Sequence, residues 1–248
     1  MKRCIPYDVV CSQSKKSKIN DDDFINFDEE QYDTSLYIMR DEYEKSIYRA
    51  GNNEIHFNAP VNGNTITRIK KLISLIIEEN KSKLVKYGDD KSVPSDREND
   101  PEFVITYIVN SPGGSVHEIL NFVDYINFLR NTFHNLKFTS IITGMVASAG
   151  TIMCVVADKR KMTRFAFAMI HELSTGLGRT QYTHVLTYAD HIQELHKALV
   201  TIYQESRGID PDDYHQKYIL ENLLLRETWL SANEYKELNF VHEIISCK

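Results

Sequence analysis

The sequence predicts an α/β fold in which a largely parallel sheet carries its helices on its outer faces. From Glu54 onwards, apolar runs of strand length alternate with segments of helical periodicity. The run Phe103–Val109 is β-branched or aromatic throughout, which is typical of a strand buried on both faces. The segments between the runs are long enough for helical crossovers, and strands joined by such crossovers lie parallel.

The first elements of the predicted domain are a short strand, a helix and a polar loop. The strand covers Glu54–Asn58. The helix covers Thr65–Glu79, because isoleucines and leucines recur along it at spacings of three and four and form one apolar face. The segment Lys81–Pro101 is polar and contains Gly88 and Pro94, so we expect a surface loop there.

The second half of the chain continues the alternation of helix and strand. An amphipathic helix over Val116–Phe133 leads to a strand over Phe138–Thr143, and a helix begins at Ser148. A long helix over Thr180–Ser206 carries an apolar stripe, and Gly208 ends it. The remaining predicted elements are a helix over Asp212–Leu225, a helix over Tyr235–Leu238 and a strand over Phe240–Ile245.

The first 53 residues differ from the rest of the chain. They show no sustained hydrophobic period, and they contain a lysine-rich run at 14–18 and three consecutive aspartates at 21–23. We predict an N-terminal extension over 1–53, flexible at first and partly ordered from about Tyr37, ahead of a domain over 54–248. The extension lacks the apolar core of a secretory signal peptide.

Composition and charge limit the partners of the chain. The hydrophobic fraction of 42% is sufficient for a domain with a large core. The net charge of −6 argues against a nucleic acid or an anionic membrane surface as a partner. No apolar run reaches the length of about 18 residues that crosses a membrane. The cysteines show no C-x-x-C pairing, so we expect a reducing, cytoplasmic location.

Histidines along the predicted long helix raise the question of a metal site. They are His184, His191 and His196. The first two are a heptad apart, and no cysteine or second close ligand accompanies them. We therefore predict no metal ion and no cofactor.

Three short segments supply the groups that serine-type acyl transfer requires. Ser148 lies between small residues at 144–150, where a tight strand-to-helix turn would expose its hydroxyl. Residues 110–115 read Asn-Ser-Pro-Gly-Gly-Ser, a turn whose glycines leave backbone N–H groups uncovered. His171 closes a short apolar run and is a candidate base. A nucleophile, a base and an oxyanion site are the minimum set for this chemistry.

Each segment alone has a simpler interpretation. Ser-Pro-Gly-Gly is a common turn, small residues around a serine also permit close helix packing, and a single histidine is often a half-buried structural residue. The serine motif is not the Gly-x-Ser-x-Gly sequence of the α/β-hydrolase elbow. The order of the segments along the chain is what favours catalysis.

Four segments in this order resemble the proteolytic subunit of the Clp protease, the ClpP serine peptidase. They are Ile108–Val116, Gly144–Gly150, Met169–His171 and Arg226–Ala232, within a resemblance that extends from about Glu54 to Ile245. The resemblance implies the ClpP/crotonase fold, a spiral of ββα units with a protruding strand-helix handle. In that fold a glycine-rich strand, here Ser174–Gly178, begins the handle, and the long helix follows it. The polar segment 81–101 looks like an insertion relative to this family.

The resemblance also implies roles for individual residues. Ser148 is then the nucleophile and His171 its general base, while the backbone N–H groups of Gly114 and Ala149 form the oxyanion hole. The 1–53 extension corresponds to a segment that in this family forms axial loops at the pore or is removed as a propeptide.

The chain departs from the family pattern beside the last motif. The family has an aspartate as the third member of the triad, and the register of Trp229-Leu230-Ser231-Ala232 places Glu227 at that position. A surface charge is the alternative interpretation of Glu227. The family commonly pairs an acidic residue with an arginine across the contact between rings, and here Leu225 occupies the acidic position beside Arg226.

As for partners, the resemblance implies self-assembly into a heptameric ring, with a double ring as an extension in which 180–206 lies at the contact between rings. A Clp-type ATPase unfoldase would deliver substrates, which would be unfolded polypeptides or peptides.

Three alternatives remain at this stage: a non-catalytic ring subunit of the same fold, a viral capsid-maturation protease, and a crotonase-like acyl-CoA enzyme. The presence of Ser148 together with His171 favours a serine peptidase, and the resemblance implies an endopeptidase of the ATP-dependent type.

Overall fold

Parallel strand pairing dominates the structure, a computed structural model that describes residues 45–87, 101–210 and 212–246. Within these ranges eight strands form one sheet. The strands are β1 (Ile47–Ala50), β2 (Glu54–Phe57), β3 (Phe103–Ser111), β4 (Leu136–Ala147), β5 (Lys159–Thr163), β6 (Phe167–Ile170), β7 (Thr228–Ser231) and β8 (Glu243–Ile245). The helices are α1 (Gly63–Glu79), α2 (Val116–Thr132), α3 (Ala149–Val155), α4 (Tyr182–Ser206), α5 (Tyr214–Leu224) and α6 (Ala232–Glu237).

The order of the strands confirms the predicted α/β architecture. The main path is β1-β2-β3-β4-β5-β8, and every step from β2 to β8 is parallel. Strands β1 and β7 are antiparallel to their neighbours β2 and β6. The strand β4 divides its pairing, since Thr139–Ile142 pair with β5 while Met145–Ala147 pair with β6.

The apolar face predicted for the first helix is part of the core. Asn62 caps α1, and its side chain accepts hydrogen bonds from the N–H groups of Asn64 and Thr65. Ile66, Ile69, Leu72, Ile73 and Ile76 are all buried. Burial of each such side chain stabilises the fold by about 1.5–3 kcal/mol before entropy losses are counted.

The strand β4 extends beyond its predicted range as far as Ala147, and an irregularity makes this possible. Its register with β3 shifts between the pairs Val109–Ile142 and Ser111–Val146. In the gap, the Asn110 side chain accepts a hydrogen bond from the N–H of Met145 at 3.2 Å. The bulge re-aims the end of β4 so that the strand runs directly into residue 148.

Two boundaries differ from the predictions. The sheet begins at Ile47, within the segment assigned to the N-terminal extension, and Ile47 is fully buried. The glycine-rich segment Ser174–Gly178 forms no strand, since its exposed backbone pairs with none of the strands in the described ranges. The long helix that follows it is present as α4.

Parts of the predicted chain lie outside the described residues. These are the extension up to residue 44 and positions 88–100 of the predicted polar loop. The start of that loop is a 3-10 turn at Lys81–Lys83, after which Leu84 is buried. No helix in the described ranges is long and apolar enough to cross a membrane.

Candidate active site

The backbone of Ser148 has an uncommon conformation. Its φ is 52° and its ψ is −125°, at the point where β4 ends and α3 begins. A non-glycine residue held in such a region costs about 1–3 kcal/mol. The N–H of Ser148 donates to the carbonyl of Met169 at 2.8 Å, which ties the turn to β6. Its side chain caps no N–H group of α3, so the hydroxyl is available for other chemistry.

The turn at Gly113 and Gly114 approaches Ser148 closely. A Cβ at Gly113 (φ +86°) would lie 2.4 Å from the carbonyl oxygen of Ala147 and 2.8 Å from the Cβ of Ser148. A Cβ at Gly114 (φ +149°) would lie 2.2 Å from the carbonyl oxygen of Val61. Both positions therefore require glycine, and this requirement explains the Gly-Gly pair in the sequence.

Two backbone N–H groups beside Ser148 are without partners in the part of the chain that the structure describes. Val61 donates to the carbonyl of Gly113 at 2.8 Å, and its own carbonyl accepts from Ser115 at 2.9 Å. This ladder skips the N–H of Gly114. The N–H of Ala149 is at the first position of α3, where helical amides have no intrahelical acceptor. Unpaired donors of this kind are what an oxyanion hole requires.

Four of the five predicted site residues line one cavity of about 220 Å³. Ser148, His171, Gly114 and Ala149 all line it. The motifs and the family resemblance predicted five site residues, and the fold brings these four together from three separate segments. The apolar wall consists of Val116, Ile119, Ile152, Leu173, Leu199 and Leu224.

Glu227 stands apart from this cavity. In the antiparallel pair of β6 and β7, Ile170 is opposite Thr228. One further step of the same register brings Glu227 opposite His171, and residues opposite each other project to the same face. Glu227 is exposed and does not line the cavity, and no hydrogen bond joins it to His171 among the described residues. Beside it, Leu225 is 62% exposed.

Three further residues line the cavity although no sequence motif marks them as site residues. His196, Leu199 and Tyr203 line the cavity from α4. Their spacing of three and four places them on one helix face, which is the signal that could have identified them. His191 is elsewhere on α4 and stacks on His117 with ring centroids 5.7 Å apart. Within the described ranges no group of three or more potential ligands is arranged to hold a metal ion.

Comparison with known proteins yields one consistent family. The family described as Clp protease matches residues 96–248. The chain is 30% identical to the ATP-dependent Clp protease proteolytic subunit 1 of Chlamydia trachomatis serovar D over 144 residues, which is 57% of this chain and 69% of that protein. It is 33% identical to the ATP-dependent Clp protease proteolytic subunit of Streptococcus pneumoniae strain P1031 over 141 residues, 56% of this chain and 66% of that one.

A third relative matches over a longer stretch. The ATP-dependent Clp protease proteolytic subunit 1 of Chlamydia pneumoniae is 27% identical over 217 residues, which is 86% of this chain and 96% of the relative.

Proposed function

Because the chain belongs to the Clp protease family, we propose that it is a proteolytic subunit that hydrolyses peptide bonds with Ser148 as its nucleophile. The observation that carries the proposal is the constellation around that serine. A hydroxyl on a strained turn, a histidine and two unpaired N–H groups line the same cavity. The strain supports a functional reading, since strained residues persist where the surrounding structure enforces them.

The chemistry is acyl transfer in two halves. The oxygen of Ser148 attacks the carbonyl carbon of the peptide, and the imidazole of His171 takes the serine proton. The resulting oxyanion accepts hydrogen bonds from the N–H groups of Gly114 and Ala149. His171 then gives its proton to the leaving amine, the C–N bond breaks, and an ester to Ser148 remains. Water hydrolyses that ester by the same steps in reverse.

Glu227 is proposed as the group that orients His171. A base that becomes an imidazolium needs a carboxylate to fix its tautomer and to stabilise its charge. The register of β6 and β7 supports this role, because it brings the backbones of the two residues opposite each other. A change of side-chain rotamer at Glu227 is the movement that the role requires.

The exposed apolar face of α4 supports self-assembly. Tyr182 is 75% exposed, Leu186 is 49% exposed and Val185 is 42% exposed, and all three lie in the first half of the helix. Large exposed apolar side chains clustered on one element mark an interaction surface. We assign this surface to a second copy of the chain, in a heptameric ring or a double ring that encloses the cavities in a chamber.

A Clp-type ATPase is the proposed partner that delivers unfolded polypeptides. Relatives of this chain are named ATP-dependent Clp protease proteolytic subunits. The family match does not favour a capsid-maturation protease or an acyl-CoA enzyme. A non-catalytic ring subunit is the alternative that experiment must exclude.

The decisive experiment combines a fluorophosphonate probe with peptide hydrolysis. We expect the probe to label the wild-type chain, and mass spectrometry to map the label to Ser148. Ser148→Ala should lose the label and retain only a residual rate, reduced by about 10³-fold or more. Ser74→Ala, at an exposed serine far from the cavity, is the matched control and should behave like the wild type. Hydrolysis by Ser148→Ala at the wild-type rate would exclude the proposal.

A further inference from the structure

A buried chain of hydrogen bonds connects α4 to the turn that carries Ser148. The hydroxyl of Thr151 donates to the carbonyl oxygen of Ser148 at 2.6 Å. The same hydroxyl lies 2.6 Å from the hydroxyl of Tyr203. Thr151 is fully buried and Tyr203 is 3% exposed, so water does not compete for these bonds.

The direction of the bonds follows from the number of protons. A threonine hydroxyl has one proton, and Thr151 donates it in the hydrogen bond to the carbonyl oxygen of Ser148. The Tyr203 hydroxyl must therefore donate to the oxygen of Thr151. Burial raises the pKa of the Tyr203 phenol well above its usual range, so the phenol keeps the proton that it donates. Consecutive hydrogen bonds of one direction polarise and strengthen each other.

The Ser148 carbonyl matters because of the peptide group to which it belongs. That planar group also contains the N–H of Ala149, and in a trans peptide the C=O and the N–H point in opposite directions. No cis peptide bond occurs in the described chain. The Ser148 carbonyl accepts from both the backbone N–H of Thr151, at 2.9 Å, and the Thr151 hydroxyl. A carbonyl fixed in this direction holds the Ala149 N–H toward the other side, where the cavity lies.

We propose that Tyr203 is a positioning residue that acts through Thr151 to aim the Ala149 N–H into the oxyanion hole. The inference rests on the proposed function, because it assigns a role to a donor of that site. The ring of Tyr203 is itself held by Phe240, at a centroid distance of 5.7 Å with the rings nearly perpendicular. This packing fixes the position of the Tyr203 hydroxyl in the core. Through Thr151, that hydroxyl stabilises the unusual backbone conformation of Ser148 from α4.

The experiment compares variants of the full chain that delete one hydroxyl each. Tyr203→Phe keeps the ring and removes the donor, and Thr151→Val keeps the shape of the threonine side chain. We expect both to lower kcat about tenfold, equivalent to about 1.4 kcal/mol in the barrier, with KM unchanged. The double variant should lose little more than either single one, because both changes break the same chain of bonds. Thr151→Ser retains the hydroxyl and should restore kcat.

Controls separate positioning from stability and from substrate contact. Tyr125→Phe deletes a hydroxyl of α2 that pairs with Ser74 at 2.8 Å and does not line the cavity, so it should leave kcat unchanged. Tyr203 lines the cavity, so a rise in KM at constant kcat would instead show that it contacts substrate and would overturn the inference. Thr151 is not part of the cavity lining, so Thr151→Val tests the same point independently, also if Tyr203→Phe fails to fold.

The outcome also distinguishes this inference from the proposed function. If the fluorophosphonate probe labels wild-type Ser148 and labels both hydroxyl-deletion variants at the same rate, the positioning role is wrong and the peptidase assignment stands. If the probe does not label the wild-type chain, both are wrong.

Discussion

At the scale of single residues, the turn at Ser148 shows why small residues surround the proposed nucleophile. The turn brings the Cβ of Ser148 so close to Gly113 that any side chain there would collide with it. The backbone of Ser148 is also of a kind that glycine adopts more readily than serine. A serine at this point destabilises the fold by about 1–3 kcal/mol, and the proposed chemistry of its hydroxyl would be the compensating gain.

Kinetic measurements on variants of Glu227 distinguish its two roles, as the residue that orients His171 or as a surface charge. If it orients His171, Glu227→Gln should lower kcat by about 10²-fold or more with little change in KM, because the amide favours the wrong imidazole tautomer. Glu227→Asp would shorten the arm to the length of the family's aspartate and should keep most of the activity. Steady-state peptide hydrolysis measures both changes.

The matched control for Glu227 is Glu237→Gln, an equal change of charge at an exposed position at the end of α6. It should have no effect on kcat. If Glu227→Gln also stays within about twofold of the wild type, a barrier change of about 0.4 kcal/mol, then Glu227 is a surface charge and Ser148 works with His171 as a dyad.

At the scale of elements, α4 shows what periodicity can and cannot predict. The apolar stripe correctly predicted a helix ending near Ser206. The stripe does not tell which parts face the core of the same chain: Leu195, Val200 and Tyr203 are buried, whereas Val185 and Leu186 are exposed. Apolar side chains that pack in the core of the chain and apolar side chains that are exposed on its surface recur with the same periodicity in the sequence.

The junction of β5 and β8 should respond to acid. The Nδ1 of His242 accepts a hydrogen bond from the N–H of Arg160 at 3.1 Å, and the N–H of His242 donates to the carbonyl of Arg160 at 2.9 Å. Burial, together with the positive charges of Arg160 and Lys159, lowers the pKa of His242. The folded state thus binds fewer protons there than the unfolded chain, and its stability falls as the pH drops below about 6.5.

His242→Asn tests this dependence, since the amide oxygen can accept the same N–H at any pH. We expect the variant to lose less thermal stability than the wild type between pH 7 and pH 5.5, measured as the change in Tm. His215→Asn, at an exposed histidine of α5, should follow the wild type at both values. Equal losses in all three proteins would contradict the assignment.

At the scale of the whole molecule, alternation of strands and crossovers was sufficient to predict the parallel sheet. The four residues that the fold gathers on the cavity were instead predicted by short motifs and by the family resemblance, and they meet because the ends of parallel strands lie at one edge of the sheet. The bulge opposite Asn110 was not predicted, since it depends on a side-chain contact between strands. The contributions of His196 and Tyr203 were not predicted either, because they depend on how a distant helix docks against the sheet.

The exposed apolar side chains of α4 predict that the chain assembles with further copies of itself. Leu186→Glu places a charge in the exposed apolar surface, where it would be buried against a second copy at a cost of several kcal/mol. We expect light scattering to give the mass of a ring for the wild type and a smaller species for the variant, with unchanged circular dichroism. Gln193→Glu changes the charge equally at an exposed polar position of α4 and should leave the ring intact. A monomeric wild type with full peptidase activity would contradict the prediction.

The division of β4 between two neighbours predicts two separate cooperative units in the sheet. The strand β6, which ends one residue before His171, is paired with β4 through Met145–Ala147 and with β7, which begins one residue after Glu227. The strands β5 and β8 depend on the earlier half of β4. Native-state hydrogen exchange should therefore find β6 and β7 opening together, at a lower free energy than β3 and the first half of β4. His171, the proposed base, would then leave the cavity in a subglobal fluctuation while the rest of the sheet keeps its protected amides.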